Sequence, residues 1–112
     1  MSAKFKIFRS TSDGYYYFRL VSYSDKTLIV SEGYTTKQAC LNGVESIKKN
    51  SQIPGKFEVA QARNGKYFFR LIAGNGQIIG TSEFFSSKSA LEKTLDLVRI
   101  NANTAEVLDL VY

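Results

Sequence analysis

The stretch Gly14-Tyr15-Tyr16-Tyr17-Phe18-Arg19-Leu20 returns fifty-one residues later as Gly65-Lys66-Tyr67-Phe68-Phe69-Arg70-Leu71. From there the two copies stay in step: Ser31-Glu32, Lys37, Ala39 and Asn50 recur as Ser82-Glu83, Lys88, Ala90 and Asn101. One offset held over thirty-seven positions marks a duplicated folding unit. Any fold assigned to one half must therefore serve the other. Each residue can also be weighed against its counterpart, which separates what the unit needs for folding from what one copy alone could use for chemistry.

Within each copy the hydrophobic period changes from two to about three and a half. Lys4-Phe5-Lys6-Ile7-Phe8 alternates, as does the run from Tyr15 to Ser22, and Lys26 to Ser31 is rich in β-branched residues, so three strands are predicted. Ser12-Asp13-Gly14, Arg63-Asn64-Gly65 and Gly74-Asn75-Gly76 supply residues that accept positive φ in tight hairpins. After the third strand, Thr35-Thr36-Lys37-Gln38 is suited to cap a helix, with the Thr35 hydroxyl accepting a free N–H and Gln38 reaching back. That helix runs to about Asn50. Its Cys40, Val44 and Ile47 match Leu91, Leu95 and Val98 at the same spacing, giving one buried stripe per helix. Lys48, Lys49 and Arg99 stand at the C-terminal ends, where the helix dipole favours cations. Ser51 to Gly55 is too short for a flexible interdomain linker, and Ala105 to Tyr112 alternates as a terminal strand. The expectation is a single α+β domain, residues 1–112, made of a tandem β-β-β-α(-β) duplication with repeats over 4–52 and 56–112. Its strands form one antiparallel sheet with two helices on one face.

The alternation also assigns the faces of that sheet. Tyr16, Phe18 and Leu20, with their identical counterparts Tyr67, Phe69 and Leu71, are expected beneath the helices together with Phe5, Ile7, Phe57 and Val59. The opposite face then carries Tyr17, Arg19 and Val21 in one copy and Phe68, Arg70 and Ile72 in the other. Lys4, Lys6, Lys56 and Lys66 point the same way, with Glu58 the acid among them.

Composition narrows the function classes. The chain has no His and one Cys, Cys40, so it cannot form an internal disulfide, and the usual zinc ligand sets and His-dependent triads are unavailable. No apolar stretch reaches signal-peptide or membrane-span length, so the expectation is a cytoplasmic protein without membrane contact. Cys40 as a nucleophile would need an activating base, and Leu91 stands at its matching position, so it reads as a core thiol. Glu32 and Glu83 could form a carboxylate pair for acid–base chemistry. Each lies one hairpin from its own arginine, however, so the reading favoured is two structural ion pairs, Arg19 with Glu32 and Arg70 with Glu83. No catalytic constellation and no cofactor are expected.

Ser31-Glu32-Gly33-Tyr34-Thr35-Thr36-Lys37, followed by Asn42-Gly43-Val44-Glu45-Ser46-Ile47-Lys48-Lys49-Asn50, resembles the signature of the YegP-like family of small bacterial proteins. The resemblance covers nearly the whole chain. It implies two units assembled into one continuous sheet, with the C-terminal strands exchanged between units and the helices on one side, and it implies no particular activity. The second copy departs from the signature, with Phe84-Phe85 for Gly33-Tyr34 and Glu92-Lys93-Thr94 for Leu41-Asn42-Gly43. Gly43 is read as a packing residue that lets the first helix approach the aromatic sheet closely.

The functional lead that remains is the aromatic and basic sheet face: Lys4, Lys6, Tyr17, Arg19, Lys66, Phe68 and Arg70. Rings and cations on an open sheet can hold single-stranded nucleic acid, and a net charge of +5 agrees with that. Acids and bases are interspersed, however, and no RNP-type signature is present. The same face suits a protein partner, which is the reading favoured, with single-stranded nucleic acid as the alternative. The internal duplication supplies a pseudo-two-fold within one chain, so a monomer is expected.

Overall fold

The computed structural model of the chain describes residues 3–111. Its elements follow in the order β1 (Lys4–Arg9), β2 (Tyr16–Val21), β3 (Thr27–Val30), α1 (Lys37–Asn50), β4 (Phe57–Gln61), β5 (Tyr67–Ile72), β6 (Ile78–Thr81), α2 (Lys88–Asn101) and β7 (Glu106–Asp109). The expected terminal strand is therefore found over Glu106–Asp109, and Tyr112 lies outside the described residues.

All seven strands join one sheet in the order β4-β5-β6-β3-β2-β1-β7. The halves meet at β3 and β6, where Val30 pairs with Thr81. Strand β4 pairs with β5 as β1 pairs with β2, within its own repeat, so the expected exchange of C-terminal strands reduces to one crossing: β7, which follows α2, pairs with β1 of the first half. The expectation of a wholly antiparallel sheet needs one correction. Neighbours from β4 to β1 are antiparallel, but β7 joins β1 in parallel, making the sheet mixed. Strand β1 already occupies the place beside β2, so β7 takes the far side of β1 while running in the direction its helix connection dictates.

Both helices cover one face. Phe5, Ile7, Phe18, Leu20, Ile29, Phe69, Leu71 and Ile79 from the sheet form one buried cluster with Cys40, Val44, Ile47, Leu91 and Val98 from the helices. The two stacks of rings under the helices repeat. Phe5 meets Phe18 edge-on at 5.8 Å and Tyr34 stacks on Phe18 at 6.2 Å; Phe57 meets Phe69 edge-on at 5.8 Å and Phe85 stacks on Phe69 at 6.4 Å. Val59 departs from expectation. It is 47% exposed, whereas its counterpart Ile7 is fully buried, because β4 is an outermost strand while β1 has β7 beside it.

The repeated Ser31 and Ser82 hold the sheet to the loops that lead into the helices. Phe18 N–H donates to Ser31 Oγ at 2.9 Å and the hydroxyl donates to the Glu32 carbonyl at 2.8 Å; Ser82 does the same for Phe69 N–H and the Glu83 carbonyl, at 2.9 and 2.8 Å. Each serine thus satisfies a buried backbone donor that would otherwise be orphaned. Thr36, one residue beyond the expected Thr35, caps α1 by accepting from Ala39 N–H at 3.0 Å, and Ser87 caps α2 at 3.2 Å. Gln38 does not reach back to the cap but donates to Asn42 Oδ1.

Candidate interaction face

The alternation that buries Phe18 and Leu20 turns Tyr17 and Arg19 to the face without helices, and the ladder lines up one row across it. Glu58, Arg70, Thr81, Val30, Arg19 and Lys6 are successive cross-strand partners, ending beside Leu108 of β7. Arg19 and Arg70 therefore flank the pseudo-two-fold three strands apart, about 14 Å.

Each arginine lies on a ring of its own half. The Arg19 guanidinium sits 4.9 Å from the centre of Phe8, which itself stacks on Tyr17 at 5.8 Å. Arg70 sits 5.6 Å from the centre of Phe68, which meets Phe84 edge-on at 5.5 Å. In this flat pose the Nε of both arginines is buried without a hydrogen-bond partner among the described residues, a feature the two halves share.

The expected arginine–glutamate pairs are not formed. Arg70 pairs with Glu58 instead, and among the described residues no ion pair joins Arg19 to Glu32 or Arg70 to Glu83. The register gives the reason: Glu58 is directly opposite Arg70, whereas Glu83 lies two residues beyond Thr81, past the end of β6. Arg19 faces Val30 on one side and Lys6 on the other, and it settles on the Phe8 ring. Lys6 pairs with Asp25 at 2.8 Å. Asp25 holds a left-handed backbone, φ 64°, at the turn position where the second copy has Gly76. The Lys6 ammonium keeps its carboxyl below the usual carboxylate range. Lys4 and Lys6 border a shallow hollow of about 240 Å³ with Val21, Tyr23 and Leu108. Lys66 is exposed in the turn just before β5.

The two copies finish the face differently. Tyr17 donates its hydroxyl to Asp13 at 2.6 Å, which holds the Asp13 carboxyl low and the Tyr17 phenol high. Gly33 gives this tyrosine room, since a Cβ there would stand 3.1 Å from the Tyr17 hydroxyl. In the second copy Phe84 takes the place of Gly33 and is 58% exposed on Phe68.

The remaining sequence candidates resolve as structure. Cys40 is buried and its thiol is pushed up to about 11, by burial first and by the Asp109 charge second, which leaves little reactive thiolate. The signature residue Asn50 donates to the carbonyl and hydroxyl of Ser46, and its counterpart Asn101 donates to the Leu97 carbonyl. A hollow of about 610 Å³ near α1 is lined in part by Asn42, Ser46, Lys49, Asn50 and Lys56, of which Asn50 bonds Ser46 and Asn42 accepts from Gln38. Among the described residues no group of three or more His, Cys, Asp or Glu is placed to hold a metal ion, and no helix is long and apolar enough to cross a membrane.

The duplicated unit is matched by the profile of a domain of unknown function, DUF1508, twice: over residues 11–58 and again over 62–109. A UPF0339 protein of Stutzerimonas stutzeri is 37% identical over 109 residues, covering 97% of each chain. The chain belongs to the YegP-like UPF0339 family. UPF0339 protein YegP of Escherichia coli K12 is 33% identical over 97% of this chain and 98% of its own. The solution NMR structure of the Escherichia coli protein superposes with a TM-score of 0.92 at 32% identity, covering 99% of this chain and 95% of that one. That of the Shewanella oneidensis UPF0339 protein also gives 0.92, at 34% identity and with coverage of 99% and 93%. The YegP-like architecture of two repeated units on one sheet, with both helices on one side, is thus common to these proteins.

Proposed function

We propose that this YegP-like protein is a non-enzymatic binding module whose uncovered sheet face docks a protein partner. The observation that carries this reading is a pair of ring-and-guanidinium clusters, Phe8, Tyr17 and Arg19 in one half and Phe84, Phe68 and Arg70 in the other, on a face that neither helix covers. Aromatic residues and arginine are the types that concentrate binding energy in protein interfaces. The nucleic-acid alternative is less well served. Lys6 and Arg70 are already paired with Asp25 and Glu58, and the rings of Phe8, Tyr17 and Phe68 pack on one another or under a guanidinium rather than offering free stacking surfaces.

The test compares the native protein with a Tyr17→Ala, Phe68→Ala variant in partner capture from cell extract, alongside anisotropy titration with labelled single-stranded DNA and RNA at two salt concentrations. A protein retained by the native chain and lost by the equally folded variant is the expected result. Oligonucleotide binding that falls steeply with salt and disappears in Arg19→Ala, Arg70→Ala would overturn this reading in favour of nucleic acid.

A further inference from the structure

The sheet ends at β4 on one side, and β4 is the counterpart of β1: Lys56-Phe57-Glu58-Val59 stands against β5 as Lys4-Phe5-Lys6-Ile7 stands against β2. Strand β1 is covered by β7, whereas no described strand pairs with the outer side of β4. Proteins usually guard such an edge with a bulge, a proline or a lysine within the strand. Phe57-Glu58-Val59-Ala60-Gln61 has none of these, Lys56 stands just before it where Ile72 N–H donates to its carbonyl, and the register irregularities lie in the β2/β3 and β5/β6 pairs.

We propose that the β4 edge accepts an acidic extended segment of a partner protein, added in parallel as β7 is added to β1. The chain itself displays the geometry of such a complex. On β1 the partners are Lys4 with Glu106, Phe5 with Val107, Lys6 with Leu108 and Ile7 with Asp109, and Leu110 N–H donates to the Ile7 carbonyl at 2.8 Å. Asp109 closes the arrangement by pairing with Lys37 at the start of α1. The second half keeps every receiving part and lacks the strand. Phe57 and half-exposed Val59 stand where Phe5 and Ile7 stand, and Lys88, the counterpart of Lys37, begins α2. With no carboxylate paired to it among the described residues, the Lys88 ammonium rests 5.8 Å from the centre of the Tyr67 ring.

The matching segment carries an acid opposite Lys56, an apolar residue opposite Phe57 and a second acid opposite Val59, where it reaches Lys88. The net charge of +5 favours such a ligand. A second copy's β7 fits less well as occupant, because each β7 that leaves β1 uncovers one edge for every edge it covers. The addition follows the strand-complementation mode of peptide recognition, in which main-chain bonds supply affinity and alternate side chains supply selectivity. It uses a different surface from the face proposed above, so either proposal can fail alone.

The test titrates the full-length protein with a labelled peptide of the sequence of residues 104–111, the acidic strand that already lies on the counterpart edge. Amide shifts confined to β4 are expected, with binding weakened about fivefold by Lys88→Glu, the scale of one charge pair. Val59→Pro, checked for an intact fold by circular dichroism, should abolish binding, because a proline at the outer edge removes an outward N–H and leaves the β5 ladder in place. No binding, shifts on β1 instead of β4, or affinity unchanged in Lys88→Glu would overturn the proposal. A concentration-dependent dimer that Val59→Pro abolishes would overturn it too, by placing a second copy on the edge.

Discussion

The outer strand of the first half, β1, and that of the second, β4, pair with their inner neighbours in the same register, yet they end in different surroundings. With β7 alongside, Phe5 and Ile7 are fully buried; without it, Val59 keeps nearly half its surface in water. A second contrast lies under the helices. In the first half a Cβ at Gly43 would stand 2.7 Å from Tyr34 Cζ and 3.0 Å from Phe18 Cε2, so only glycine fits beneath that tyrosine. In the second half Phe85 lacks the hydroxyl and Thr94 is buried where Gly43 was. Glycine with tyrosine has been exchanged for threonine with phenylalanine, which keeps the volume between helix and sheet filled in both halves. Duplicated units therefore conserve packing as combinations of residues rather than one position at a time.

The largest difference is expected when the matching aliphatic is cut back on β1 and on β4. Ile7→Ala should cost about 2–5 kcal/mol in urea unfolding, as loss of a fully buried aliphatic does, while Val59→Ala should cost about 1 kcal/mol or less. Equal losses would mean that β7 does not cover β1 in solution. Transplanting one half's solution into the other comes next. Gly43→Thr alone should destabilise by about 1–3 kcal/mol through overpacking against Tyr34, and adding Tyr34→Phe should recover most of that. A double variant no better than the single would show that the exchange is not a compensated pair.

Where the halves are alike, the effects should match. Ser31→Ala and Ser82→Ala each leave one buried strand N–H without its acceptor, and each should lower stability by about 1–2 kcal/mol, on the low side for a buried bond left unmade. The smallest effect concerns the first half, whose outer strand is covered by β7. Lys37, with help from the Val111 N–H, holds the Asp109 carboxyl below its ordinary value. A folded-state value below the unfolded one means that this contribution is present above the ordinary carboxylate pKa and is lost as pH falls through the lowered folded value. Amide exchange at Leu110 should therefore quicken in acid relative to β5, and Lys37→Ala should remove that pH dependence by making exchange fast throughout.

The sequence alone determined the repeat, the three strands and the helix of each half, the buried stripe of each helix and the identity of the two sheet faces. These follow from periodicities of two and three and a half, which are properties of the local backbone, and from a duplication that let each reading be checked twice. It also pointed to Gly43 as a packing residue, because a glycine inside a helix asks for a close neighbour. Only the tertiary structure decided which elements meet across the pseudo-two-fold. There Ile29 of one half lies against Gly80 of the other, whose Cβ would come within 3.2 Å of the Ile29 side chain, since a symmetric centre has room for one large residue and not two. The same holds for Arg70, which took Glu58 from an adjacent strand over the Glu83 that the spacing suggested, and for β7, which joined β1 in parallel because the place beside β2 was filled. Ion-pair partners and edge coverage are set by register and strand order, and those are fixed by the packing of the whole chain rather than by any local run of residues.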